Sequence, residues 1–194
     1  MKISRRVFAM SSLATMVLAA CSPQDSGKGA SGARREVSLQ LITEKAKGFT
    51  VGAMMSTTTV YVFFDTQCPH CGHLWEASVA LHKRVKFVWI PIGMINPSSA
   101  SQGAALLTAA NPLALMTEHE ASLLAGTGGI GASSSIPTEI ADAIKANTQL
   151  FNSFGAESVP FVVAQNARSG QTVSREGAMD SATLAEFIGL DAAA

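Results

Sequence analysis

Residues 59–93, TVYVFFDTQCPHCGHLWEASVALHKRVKFVWIPIG, restrict the fold more than any other part of the chain. Thr59 to Asp65 is a run of β-branched and aromatic residues bounded by turn signals, the pattern of a buried strand. A helix is expected from Pro69, with Leu74, Trp75, Val79 and Leu81 on its apolar side. Lys83 and Arg84 would close it, where cations suit the negative end of the helix dipole. Val85 to Gly93 reads as a second strand. Strand, helix and strand of this length make a βαβ unit with its two strands parallel.

The rest of the chain extends this unit into one α/β domain. Of 194 residues, 47% are apolar and 14% charged, enough for a sizeable core and not the composition of a disordered chain. Within the mixed stretch 37–58, VSLQLIT alternates apolar and polar residues and reads as a short strand. The stretch 96–155 reads as a helical insertion. Asn96–Pro97 and Asn111–Pro112 each pair an N-cap Asn with Pro at the first helical position. Gly103 weakens the first of these helices, and Gly126 ends the second. A third begins near Pro137, carries Ile140, Ile144 and Phe151 on one side, and stops at Gly155. SVPFVVAQ and QTVSREG are two further strands joined by a turn near Asn166 to Gly170. A last helix, capped by Asp180, packs through Leu184, Phe187 and Ile188. The expected domain is 37–194.

Residues 1–20, MKISRRVFAMSSLATMVLAA, have a basic start and an apolar core from Val7 to Ala20. That core is too short to span a membrane and suits a secretory signal peptide. LAAC resembles a lipobox, with Cys21 as the lipid-bearing residue, and SRRVF resembles the start of a twin-arginine signal. This reading makes the mature chain a lipid-anchored protein of the bacterial envelope facing the periplasm; Ser22 after the lipid cysteine favours the outer membrane. Residues 21–36 would be a tether, whose Gly/Ser-rich stretch SPQDSGKGASGARR, 14 residues, spans about 20 Å. Losing Lys2, Arg5 and Arg6 leaves 11 basic against 14 acidic residues, a net charge near −3 that gives nucleic-acid binding no support.

With Cys21 lipidated, the mature domain holds only Cys68 and Cys71, in a compartment where disulfides persist. Cys68 lies where the helix begins, so free backbone N–H groups and the helix dipole favour its thiolate, the species that attacks a disulfide. Pro69 fits the first turn, and a cationic His70 would add to the stabilisation. Cys71, one turn on, can close a Cys68–Cys71 disulfide or resolve a mixed one. The rival readings are a zinc site, a copper chaperone and an inert staple. Zinc sites use two separated ligand pairs, whereas here only His70 and His73 lie near the cysteines. A copper chaperone of this kind would space its cysteines three apart, although a distant histidine, His119, is present. A small ring also constrains little of the unfolded chain. Redox exchange is favoured, with no metal or cofactor. Elsewhere, His73 reads as a part-exposed helix residue and His82 and His119 as surface residues. Trp75 and Trp89 read as core, Met54 and Met55 as packing, and GTGGIG as a flexible loop without the P-loop lysine.

VYVFFDTQCPHCGHLW, FVWIPIGMINPSSASQGAALLTAANP and FGAESVPFVV together resemble the catalytic domain of DsbC/DsbG-type disulfide isomerases, closest to the DsbG branch. The likeness runs from about Thr59 to Gly189. It implies a thioredoxin-like fold with a helical insertion, a cis Pro160 facing the cysteines, and Val159 offering its backbone to a substrate peptide. It also implies exchange on cysteine-containing exported proteins and a DsbD-like membrane electron donor. Three features depart from the pattern. Only 37 residues separate Cys21 from the first catalytic strand, too few for the family's dimerisation domain, so a monomer is expected. Val159 and the Pro69–His70 dipeptide are features of DsbA-type oxidases, which keeps a dithiol oxidase open as an alternative. A non-catalytic lipoprotein or metal chaperone is a further one. Thioredoxins and DsbA carry a buried acid six residues before the first cysteine, where this chain has Val62; Asp65 or water is left to move the proton of Cys71.

Overall fold

In the computed structural model of the chain, residues 37–191 are described. The stretch 1–20 read as a signal segment, Cys21 read as the lipid site, and the stretch 21–36 read as a tether lie outside the described residues. Among the described residues, no helix is long and apolar enough to cross a membrane.

The βαβ unit is built from β2 (Thr59–Asp65), α2 (Pro69–Val79) and β3 (Lys86–Ile92), with β2 and β3 parallel from Thr59↔Lys86 to Asp65↔Ile92. Two strands from the C-terminal part extend the sheet beyond β2. β4 (Phe161–Gln165) runs antiparallel to β2, and β5 (Thr172–Glu176) antiparallel to β4. On the other side β1 (Phe49–Gly52) pairs antiparallel with β3, giving the order β1-β3-β2-β4-β5. Alternation along β2 sends aromatic side chains to both faces. Phe64 packs edge-on against Trp89 at 5.4 Å, and Trp89 meets Trp75 of α2 at 5.2 Å. On the opposite face Phe63 packs with Phe151 at 6.1 Å and Phe161 at 6.1 Å. Both tryptophans are core residues.

Between β3 and β4 run α3 (Pro97–Thr108), α4 (Pro112–Leu124) and α5 (Thr138–Ser153). Asn96 and Asn111 cap the first two through their side chains, and Pro follows each cap. Asn147 of α5, fully buried, accepts from the backbone N–H of Lys47 and donates to the carbonyls of Lys47 and Pro91. That side chain fastens the helical stretch to the sheet. Asp180 caps α6 (Ser181–Phe187) by accepting from Thr183 N–H at 2.7 Å.

Five expectations are corrected. α2 ends at Val79 rather than at Lys83 and Arg84, so no cation stands in its last turn. VSLQLIT is not a strand: Ser38 accepts from Leu41 N–H and starts α1 (Leu39–Lys45), which buries Ile42. Val79 is not on the apolar side of α2. The inward stripe is Cys71, Leu74, Trp75 and Ser78, and Val79 lies one step off it at 51% exposed. His82 is half-buried, its ring 5.6 Å from those of Trp75 and Phe87, and burial lowers its pKa. Met54 and Met55 are exposed rather than packed. They follow Gly52, which pairs with the start of β3, at the opposite end of the sheet from Asp65.

Candidate active site

Cys68 is the N-cap of α2, with extended backbone (φ −103°, ψ 109°) and no side-chain capping bond. Its N–H is held by Asp65 C=O at 3.0 Å, so the strand end turns directly into the helix. Pro69 occupies the first helical turn, where a missing N–H costs nothing. The open N-terminus therefore faces the Cys68 sulfur. A hydrogen bond from the Cys71 side chain is the main influence drawing the Cys68 pKa from 9.0 down to about 7. Burial opposes it, the backbone N–H groups of Cys71 and His70 assist, and the charge of Asp65 opposes. Cys71 is fully buried, and burial first, then its bond to Cys68 and the Cys68 charge, push its pKa well above the ordinary range. Neither cysteine is in a disulfide in this structure. The pair is thus one readily ionised thiol at the surface edge, 5% exposed, above one that holds its proton.

The Val159–Pro160 peptide is cis. The Cys68 thiol donates to Val159 C=O at 3.5 Å, across 91 positions of sequence. They meet because Phe161 pairs with Phe63, placing residues 159–160 beside the strand end that leads into Cys68. His70 is exposed and acts on Cys68 through its backbone N–H. Asp65 is fully buried with both carboxylate oxygens engaged: Oδ1 accepts from Gln67 N–H and the Ser99 hydroxyl, Oδ2 from Met94 and Ile95 N–H. It ties the ends of β2 and β3 to the start of α3. Cys21 lies outside the described residues.

Two residues of α4 near this site escaped the sequence reading. His119, expected on the surface, is fully buried. Its Nε2 lies 2.7 Å from Thr66 C=O and its Nδ1 accepts from Ile130 N–H at 3.2 Å. Burial lowers its pKa. The glycine-rich loop after α4 is pinned rather than loose, because Gln102 donates to both Gly128 and Ile130 carbonyls. Glu120 is 1% exposed, and neither carboxyl oxygen has a hydrogen-bond partner. It presses on α2 at Gly72, where an added Cβ would lie 2.8 Å from Glu120 Oε2. Burial, then the charges of Cys68 and Glu76, push its pKa up to about 8. The spacing Met116–Glu120–Leu124, an acid inside an i, i+4, i+8 stripe, was the available signal.

The geometry can be set beside known proteins. No family model matches the chain. The thiol:disulfide interchange protein DsbG of Pseudomonas aeruginosa is 28% identical over 148 residues, covering 75% of this chain and 57% of that protein. DsbG of Escherichia coli is 28% identical over 105 residues, covering 53% of this chain and 42% of that protein. The chain resembles DsbG. It spans about half the length of these curated relatives. Among solved structures, a periplasmic thioredoxin-like protein from Salmonella enterica serovar Typhimurium superimposes with a TM-score of 0.62 at 17% identity, covering 79% of this chain and 97% of that one. The fold is thioredoxin-like.

Proposed function

We propose that the chain is a thiol–disulfide oxidoreductase working at Cys68 and Cys71 on cysteine-containing exported proteins, as a DsbG-like reductase or isomerase. The observation that carries this is the placement of the pair: Cys68 at the N-terminus of α2, 3.5 Å from the Val159 carbonyl, with Cys71 fully buried one turn on. In reduction, the Cys68 thiolate attacks a substrate disulfide, forming a Cys68–substrate bond and expelling one substrate sulfur as thiolate. Cys71 loses its proton and attacks Cys68 Sγ; the Cys68–Cys71 bond forms and the second substrate sulfur leaves. Two electrons pass from the dithiol to the substrate. In isomerisation, a second substrate thiol resolves the mixed disulfide and the dithiol is regenerated.

Several features support a peptide beside Cys68. Val159 and Pro160 flank its sulfur, and Met94 and Ile95, 48% and 47% exposed, follow β3 at the same sheet end. The reducing or isomerising direction is supported by the likeness to proteins named DsbG. Our reading places the domain in the periplasm as a monomer, anchored by lipid at Cys21 and kept reduced by a DsbD-like membrane donor. The second reading, a DsbA-like oxidase, is favoured by Val159 and by the Pro69–His70 dipeptide. Trapping thiols in living cells separates the two. Mostly reduced Cys68 and Cys71 are expected; a mostly oxidised pair would overturn the reductase reading.

A further inference from the structure

We infer that Glu120 is the proton acceptor for Cys71 when the mixed disulfide at Cys68 is resolved. This rests on the reading of the pair given above and adds a residue from α4, outside the βαβ unit.

The resolution step needs a base that the cysteines do not supply. Cys71 is fully buried and must lose a proton before it attacks. Asp65 is fully committed, since four donors occupy its two oxygens. His119 is committed too, through Thr66 and Ile130. Glu120 is buried with both oxygens unpartnered, against Gly72, the neighbour of Cys71 in the chain. A buried carboxyl without partners is costly, and its presence beside a reacting group calls for a role. The titratable groups that raise its pKa are Cys68 and Glu76; Cys71, whose own pKa it raises in turn, completes the set from α2. α3 and β1, which also pack on α4, carry no charged side chain.

The arrangement times itself. While Cys68 is a thiolate, its charge helps keep Glu120 protonated. When Cys68 bonds to a substrate sulfur that charge disappears, and the Glu120 carboxylate becomes easier to form. Glu120 releases its own proton to water, the carboxylate takes the Cys71 proton, and the Cys71 thiolate attacks Cys68 Sγ and expels the substrate thiolate. Glu120 then passes its proton to water or to the departing sulfur. Atoms, protons and electrons balance with no further reactant.

Ellman's reagent tests this without any protein substrate. Attack by Cys68 releases one thionitrobenzoate, and ring closure by Cys71 releases a second, so stopped-flow absorbance resolves the steps. For Glu120→Gln the second phase should slow roughly 10²-fold at about pH 7, the usual scale of lost proton transfer, while the first changes less than about threefold. The wild-type second phase should rise with pH and level off below about 8, whereas Glu120→Gln keeps rising. Glu120→Asp should keep the levelling. An unchanged second phase, or equal slowing of both phases, would overturn the inference. A measurement on the wild-type chain guards against a misfolded variant. Capping Cys68 with iodoacetamide should convert protonated carboxyl to carboxylate in the infrared spectrum near neutral pH, and an unchanged carboxyl band would overturn it as well. Because neither assay uses a protein substrate, inactivity on exported proteins would count against the proposed function alone.

Discussion

Replacing Glu120 by Gln should change how stability responds to pH. The carboxyl goes from 4.5 in the unfolded chain to about 8 in the fold, chiefly through burial. For a raised acid the sign is fixed. Full stability is present below 4.5, where both states are protonated. As pH rises toward 8, the unfolded chain has released a proton that the fold still holds, and stability falls by about 1.4 kcal/mol per pH unit. At pH 7 the loss is about 3 kcal/mol relative to strongly acid solution, and it levels off above about 8. Gln does not titrate, so the variant lacks this slope. Cys68 acts in the opposite sense between about 7 and 9, because its pKa is lowered on folding, but both proteins share that contribution. The assay is urea unfolding of both proteins in a phosphine reductant, stepped from about pH 4 to about pH 8, with midpoints compared at constant m. The variant's stability relative to wild type should climb by about 3 kcal/mol between pH 4 and pH 7. A difference that stays flat would refute the claim that this carboxyl is buried and unpartnered.

Cys71→Ser should accumulate a mixed disulfide with substrate proteins, seen as a reductant-sensitive band on gels, while Cys68→Ser should not; the reverse pattern would exchange their roles. Gly72→Ala should destabilise the fold by about 1–3 kcal/mol in denaturant titrations, since the new methyl meets Glu120 Oε2 at 2.8 Å and Leu124 Cγ at 3.1 Å. Asn147→Ala should cost about 3 kcal/mol by the same measurement, because it strands the Lys47 and Pro91 backbone groups that this one buried side chain satisfies.

Much of the fold was legible because local signals agreed with tertiary ones. The Thr59–Asp65 run, the Asn–Pro caps at 96–97 and 111–112, and the Asp180 cap are each short, strong and self-contained. VSLQLIT misled because Val37, Leu39 and Leu41 alternate like a strand while Leu39 and Ile42 keep helical spacing; the cap at Ser38 decided it. β1 has four residues and exists by pairing with β3, which no local pattern reveals. At the site, the cysteines and their helix terminus were readable, since motif and position coincide there. His119 and Glu120 were not, because polar residues on α4 become buried only when α4 packs on α2. The proton-handling role expected of Asp65 met a carboxylate already saturated by backbone and hydroxyl donors, a fact visible only once β3 and α3 are in place.

The most direct test of the account is insulin reduction by the purified domain, comparing wild type with Cys68→Ala. The account predicts that wild type accelerates precipitation of the insulin B chain in the presence of a small thiol, that Cys68→Ala falls to the uncatalysed rate, and that the spent wild-type protein carries a Cys68–Cys71 disulfide by mass spectrometry. Activity that survives Cys68→Ala, or a wild-type protein that reduces insulin without ever forming that disulfide, would contradict it.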